Sequence, residues 1–233
     1  LKDNVYEFIK ENIREVNDRV GEAAIRSGRK FGDIVIVAVS KTFPSDAIRK
    51  AVSSGISNLG ESRIQDAEPK IKELGDIATW HMIGHLQSNK VKKALELFDT
   101  IQSVDSVHLA EEIEKRAAEA GSFIDCLVEV NSSGEEQKYG VAPDKTINLL
   151  ETIGEHKHIR LRGLMTIGPF VEDERIIRHA FRMTRELFEE GKKIIGEGFQ
   201  ILSMGMSSDY ELAIDEGSNM VRIGTAIFGS RKK

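Results

Sequence analysis

From residue 34 to residue 223, short apolar segments alternate with longer amphipathic ones, and this β-then-α rhythm constrains the fold more than any other feature of the chain. Candidate strands lie at 34–40, 56–59, 79–83, 100–103, 124–130, 160–165, 201–204 and 220–223. Segments such as "VIVAV" and "DCLVEV" read as buried on both sides, as parallel strands covered by helices are. The clearest helical pattern runs over 173–190, where Ile176, Ile177, Ala180, Phe181, Thr184, Leu187 and Phe188 fall on one face. Ahead of the first strand, Val5, Phe8, Ile9, Ile13, Val16, Val20 and Ala24 recur at helical spacing, which predicts one or two amphipathic helices over 3–28. Eight such units point to an α/β fold, a (β/α)8 TIM-like barrel with an extra N-terminal helix. A doubly wound open sheet is the rival, and the strand count favours the barrel. No proline-rich linker, repeat or low-complexity block interrupts the pattern, so a single domain over 1–233 is expected.

Composition narrows the function classes. Charged residues make up 30% of the chain and the net charge is −5, which points away from general nucleic-acid or anionic-membrane binding. The closing "RKK" reads as a solubilising tail. A lone cysteine, Cys126, excludes an intramolecular disulfide framework and a cysteine-based zinc site. The N-terminal stretch is charged throughout, without the apolar core of a secretion signal, and no apolar run approaches the roughly 20 residues of a membrane span. A cytoplasmic protein is expected, one whose initiator methionine has been lost ahead of Leu1. Charged outer helix faces without a large apolar patch predict a monomer.

In a barrel of this type the functional groups gather at the C-terminal ends of the strands. There the sequence places Lys41, "GES" at 60–62, "HMIGHLQSNK" at 81–90, "SVDS" at 103–106, "EVNSSGEEQKYG" at 129–140, "GLMTIGP" at 163–169, "SMGMSSD" at 203–209 and "VRIGTAIFG" at 221–229. Lys41 stands at the mouth of a strand that reads as buried. Lost hydration lowers a lysine's pKa and frees its amine for Schiff-base chemistry with a carbonyl. A lysine that reaches out to solvent or pairs with a loop carboxylate is the plainer alternative. Ser207 and Ser208 precede a helical segment, so their loop is either an anion site or no more than a helix cap made by Ser208 or Asp209. Gly224 would let the backbone approach a ligand and Thr225 adds a hydroxyl, in a loop position where barrels usually bind phosphate. Arg222 points to the opposite side of its strand from Val221 and Ile223, as a buried ion-pair partner or a ligand contact. A phosphate site beside a Schiff-base lysine suggests pyridoxal 5′-phosphate (PLP). A Schiff-base aldolase acting on a sugar phosphate uses the same parts, although aldolase barrels usually take the lysine from a later strand.

The motifs "AVSKTFP", "WHMIGHLQSNK", "EVNSSGEEQKYG", "LRGLMTIGP", "LSMGMSSDYELAI" and "GSNMVRIGTAIFG" resemble, in order and over nearly the whole chain, those of the pyridoxal-phosphate homeostasis proteins. These are small barrels similar to the N-terminal domain of alanine racemase. The resemblance implies PLP fold type III, with Lys41 holding the cofactor as a Schiff base, Arg222 facing the pyridine nitrogen, and Ser207, Gly224 and Thr225 holding the phosphate. His81 and Met165 match motif positions near the cofactor, and Lys138 matches a family lysine to which no catalytic task is given. Ser62 stands where the family usually has asparagine, which leaves that loop's contact with the cofactor open, and Asn219 stands where threonine is common. An arginine opposite the pyridine nitrogen stays a donor and keeps that nitrogen unprotonated, which makes a poor electron sink. A racemase needs two bases. In alanine racemase the second is a tyrosine from another domain, and neither Tyr6, Tyr139 nor Tyr210 obviously replaces it. The expected function is therefore intracellular PLP homeostasis by a carrier or buffer without catalytic residues or efficient turnover. Other B6 vitamers and PLP-requiring apoenzymes are its further possible partners. The alternative is a PLP-dependent amino-acid racemase with Tyr139 or His81 as the opposite base.

Overall fold

The computed structural model describes residues 5–135 and 138–230. The "RKK" tail, residues 3 and 4 of the first helical pattern, and residues 136 and 137 lie outside the described residues. Eight parallel strands close on themselves: β1 (Val35–Val39), β2 (Asn58–Glu61), β3 (Thr79–Met82), β4 (Thr100–Val104), β5 (Ile124–Val130), β6 (Ile159–Thr166), β7 (Ile201–Met204) and β8 (Met220–Ile223). Each strand pairs with the next, and β8 returns to β1 from Val35↔Met220 to Ala38↔Ile223. That last ladder removes the open sheet from consideration.

The helices are α1 (Glu7–Arg26), α2 (Ser45–Ser53), α3 (Ile64–Leu74), α4 (Val91–Leu97), α5 (Val107–Ala120), α6 (Pro143–Gly154), α7 (Glu174–Ile195), α8 (Tyr210–Asp215) and α9 (Thr225–Phe228). Parallel strands require crossovers, and α2 to α8 supply them on the outside of the barrel. Outward strand residues such as Ala38, Leu59, Ile101, Cys126, Leu164 and Val221 are buried beneath Ala47, Ala67, Ile113, Leu150 and Phe181 in one apolar layer. Because α8 and α9 run for only six and four residues, the last part of the ring would be thinly covered. The single helix α1 fills that place, packing on α8, α9 and α2 through a face that buries Ile9, Ile13, Val16 and Val20. Asn12 Nδ2 donates to the Ile227 carbonyl (2.9 Å), and Arg29 donates to the carbonyls of Ile214 and Ser218.

Some details depart from the sequence pattern. Val5, which precedes α1, is exposed, and so is Phe8, which lies about 100° around the helix from the fully buried Ile9. Ile176 is also exposed: Ile177, Ala180, Phe181 and Phe188 set the buried face of α7, and Ile176 lies about 100° away from its neighbour. Val35 is exposed and Ile36 half-buried, since β1 begins at the barrel rim and only its last three residues are enclosed. Gly163 is needed for closure, because a Cβ there would lie 1.7 Å from the Ile201 carbonyl oxygen on β7. Among the described residues, no helix is long and apolar enough to cross a membrane.

Candidate functional site

Lys41 follows β1 by two residues and is exposed, so the dehydrated surroundings expected from the sequence are absent. It occupies the first corner of a tight turn. The Ser40 carbonyl accepts the Phe43 N–H (3.1 Å), and Thr42, at the second corner, has φ 71°. This is the shape of a type II turn, which normally takes glycine at that second corner. Thr42 is the only non-glycine residue with positive φ among the described residues, and a β-branched side chain makes that conformation costly. Ser40 on one side is fully buried, and Phe43 on the other stacks on Phe228 at 5.0 Å. The lysine is exposed, but its footing is fixed.

Inside the barrel, inward-facing residues of successive strands form a polar network. Arg222 Nη1 donates to the Ser203 hydroxyl (2.7 Å) and carbonyl (2.9 Å), while Nη2 donates to the Thr166 carbonyl (2.8 Å). Ser203 Oγ donates to Gln102 Oε1 (2.8 Å), and Gln102 Nε2 reaches His81 Nδ1 (3.1 Å). His81 Nε2 reaches Asn58 Oδ1 (3.0 Å). Since a guanidinium only donates, the direction of the whole series is set at the arginine end. Nδ1 of His81 therefore accepts and Nε2 carries the hydrogen. Burial pushes the His81 pKa down to about 4, so the ring is neutral near pH 7. Burial also pulls the Arg222 pKa down to about 10, which still leaves it a cation; Glu129 and Asp209 hold it up against that burial. Glu129 is pushed up to about 7, chiefly by burial, with Arg222 opposing and Asp105 adding. Register places Glu129, Met165 and Ser203 side by side on β5, β6 and β7, which sets the buried Met165 beside the arginine's partners.

The loops after β7 and β8 meet. Gly205 has φ 92°, and a Cβ on it would lie 2.6 Å from the Ala213 Cβ, so the loop turns back tightly onto α8. Ser207 Oγ then accepts the N–H groups of both Gly224 (3.1 Å) and Ala226 (3.2 Å). The two backbone donors fix that oxygen and leave the Ser207 O–H to donate outward, and exposed Thr225 lies between them in sequence. The capping alternative does not hold: neither Ser208 nor Asp209 makes a side-chain cap on α8, and the Asp209 carboxylate takes the Met206 N–H (2.6 Å). Gly224 has negative φ, and a Cβ on it would make only ordinary contact with Val39, so its contribution is the N–H rather than unusual backbone freedom.

Ser62 is half-buried after β2, where it shares the lining of a cavity of about 380 Å³ with Arg63, His85, Lys90 and Tyr139. Lys138 pairs with Glu135 (2.6 Å), and Tyr139 stacks on His85 at 3.9 Å. Lys41, Ser62, Arg222, Ser207, Gly224 and Thr225 thus lie at the C-terminal ends of β1, β2, β7 and β8, or just beyond them. His81 lies deeper, with both ring nitrogens engaged. Sequence reasoning passed over Asn58, Gln102, Glu129 and Ser203. Gln102 in "TIQSV" carried only a weak signal: strand alternation sets it opposite Ile101, but Ser103 on its other side is polar too, which blurs the pattern.

Comparisons with known proteins place the chain among relatives. The family model for alanine racemase, N-terminal domain, matches residues 8–232. A pyridoxal phosphate homeostasis protein from Aquifex aeolicus is 41% identical over 223 residues, covering 95% of this chain and 98% of its own. The structure of PipY from Synechococcus elongatus PCC7942 with PLP bound is 35% identical, with a TM-score of 0.79 over 92% of this chain and 100% of that one. An alanine racemase from Clostridium difficile shares the fold at 14% identity, with a TM-score of 0.75 over 97% of this chain and 60% of its own.

Proposed function

This chain belongs to the pyridoxal phosphate homeostasis protein family, built on the alanine racemase N-terminal domain, and from that premise we propose that it holds PLP as a Schiff base on Lys41 and acts as a non-catalytic carrier and buffer of the cofactor. The observation that carries the reading is the convergence of two backbone N–H groups on Ser207 Oγ beside a buried arginine. Those residues fit the group: the amides of Gly224 and Ala226 hold the Ser207 oxygen, so that the Ser207 O–H and the Thr225 hydroxyl are the donors that suit a phosphate, and Arg222 suits a ring nitrogen. Three of the five guanidinium N–H groups are used by Ser203 and Thr166, which leaves Nε–H and one Nη2–H for a ligand. Met165 and the Ser62 loop would complete the surroundings, with His81 supporting from below.

When bound, PLP supplies an aldehyde that takes a primary amine and a ring that can withdraw electrons. The chain's own residues favour holding over turnover. Arg222 donates and does not accept, so it would keep the ring nitrogen unprotonated. His81 is neutral, with both nitrogens hydrogen-bonded, and so is a poor candidate for a base at the mouth. Tyr139 is 59% exposed and stacked on His85. Relatives named as homeostasis proteins rather than as enzymes support the same reading. In this proposal the chain acts over 1–233 as one cytoplasmic, monomeric unit that exchanges PLP, and related vitamers, with PLP-requiring apoenzymes.

The test is the absorbance spectrum of PLP-loaded protein before and after borohydride, followed by peptide mapping. A reduced adduct at Lys41, absent from Lys41→Ala, is expected; a wild-type label at another lysine overturns the assignment. Incubation with L-alanine in deuterated water is expected to give no steady α-proton exchange, and steady exchange would favour a racemase.

A further inference from the structure

We propose that Glu61 and Lys70 are positioning residues for Lys41, a buried ion pair that clamps the end of β1 and holds the lysine at the corner of its strained turn; this rests on the reading of Lys41 as the cofactor-holding amine. Glu61 ends β2 with no exposed surface, and Lys70 reaches it from α3 with its side chain 12% exposed. Lys70 Nζ donates to Glu61 Oε1 (2.7 Å) and to the Ser40 carbonyl (2.9 Å). Ser40 Oγ donates to the same carboxylate oxygen (2.7 Å). The other oxygen, Oε2, is buried without a hydrogen-bond partner among the described residues.

A pair taken out of water in this way contributes little net stability over an apolar pair of the same volume. Leu59 and Ala67, on the same two elements, show the apolar solution that this interface otherwise uses. What the ion pair adds is control of Ser40, the residue directly before Lys41. Both hydrogen-bonding groups of Ser40 that face the pair are engaged, and its carbonyl is also the one that closes the turn with Phe43. With Phe43 held against Phe228 on the far side, Thr42 is kept at φ 71°, a conformation it would leave if Ser40 were loose.

The test uses the full chain with Glu61→Gln/Lys70→Met, which leaves no buried charge unpaired, and with Lys70→Arg, whose guanidinium can serve both acceptors. Three quantities are read: hydrogen exchange at the Phe43 N–H without cofactor, PLP affinity with borohydride trapping at residue 41, and the pH midpoint of the adduct's absorbance. Thermal melting checks the fold. In the double variant, exchange at Phe43 is expected to speed up at least tenfold, PLP affinity to fall at least tenfold and the midpoint to move. Lys70→Arg should recover most of each. Wild-type exchange and affinity in a folded double variant would overturn the clamp, leaving the pair as barrel support. Absence of any wild-type adduct at Lys41 would overturn the cofactor assignment and this inference with it, whatever the exchange data show. Should the double variant fail to fold, Glu61→Gln alone carries the same readouts.

Discussion

His81 illustrates how hydrogen-bond direction can fix a protonation state. Each group between Arg222 and Asn58 could donate or accept, but the arginine only donates, so the order Arg222, Ser203, Gln102, His81, Asn58 runs one way. The expected outcome is a His81 ring with hydrogen on Nε2 and a bare Nδ1. Long-range ¹H–¹⁵N spectra should show no titration until the pH approaches about 4; a midpoint near 6.5 would contradict the network. Arg222→Gln tests the other end. It strips the buried Ser203 and Thr166 carbonyls of their donor and removes the cation that opposes the rise of the Glu129 pKa. A loss of roughly 3 kcal/mol in unfolding free energy is expected from the two unsatisfied acceptors, together with at least tenfold weaker PLP binding. Urea unfolding and a PLP titration on the same preparation measure both.

At the scale of elements, the strands could be read from the sequence because each is a short apolar run between turn signals, and β5, β7 and β8 fall where the pattern puts them. β2 did not: it reads as 56–59 and runs Asn58–Glu61. Its glycine and glutamate look like loop, yet the ladder continues through Gly60↔His81 and Glu61↔Met82. A carboxylate can end a buried strand only because Lys70 meets it from α3 nine residues later, and no local pattern announces that meeting. Lys41, Arg222 and Ser207 were legible for the opposite reason, being chemically distinctive residues at or just beyond strand ends. The exposure of Lys41 was not legible, because it follows from where the turn leaves the barrel. Closure has its own test in Gly163→Ala. A methyl 1.7 Å from the Ile201 carbonyl cannot be absorbed by side-chain movement, so β6 and β7 must part. A cost of at least about 3 kcal/mol is expected, at the upper end of overpacking effects, read as a lowered melting temperature or insoluble protein. Wild-type stability would mean that the strands are not so closely apposed.

For the whole molecule, the buried polar interior sets how stability depends on pH, through two groups that act in opposite directions. The folded barrel keeps a proton on Glu129 up to about pH 7, which the unfolded chain releases near 4.5. That contribution is complete below 4.5 and is lost as pH rises through 7. The folded barrel also keeps His81 deprotonated down to about pH 4, whereas the unfolded chain takes up that proton near 6.5. That contribution is complete above 6.5 and is lost as pH falls through 4. Between pH 4.5 and 6.5 the folded state therefore holds one proton more at Glu129 and one fewer at His81, and the two slopes cancel. Glu129→Gln removes one side of the balance. Its stability, relative to wild type, should fall as pH is lowered from 6.5 to 4.5 by about 1.4 kcal/mol per pH unit, or about 3 kcal/mol across the window. His81→Gln should tilt the other way, losing a similar amount relative to wild type as pH rises over the same range. Carboxylates common to all three proteins, including Asp209, which burial also pushes upward, drop out of these differences. Urea midpoints of the cofactor-free proteins at half-unit steps measure them. Parallel curves would mean that burial does not shift the protonation of either group.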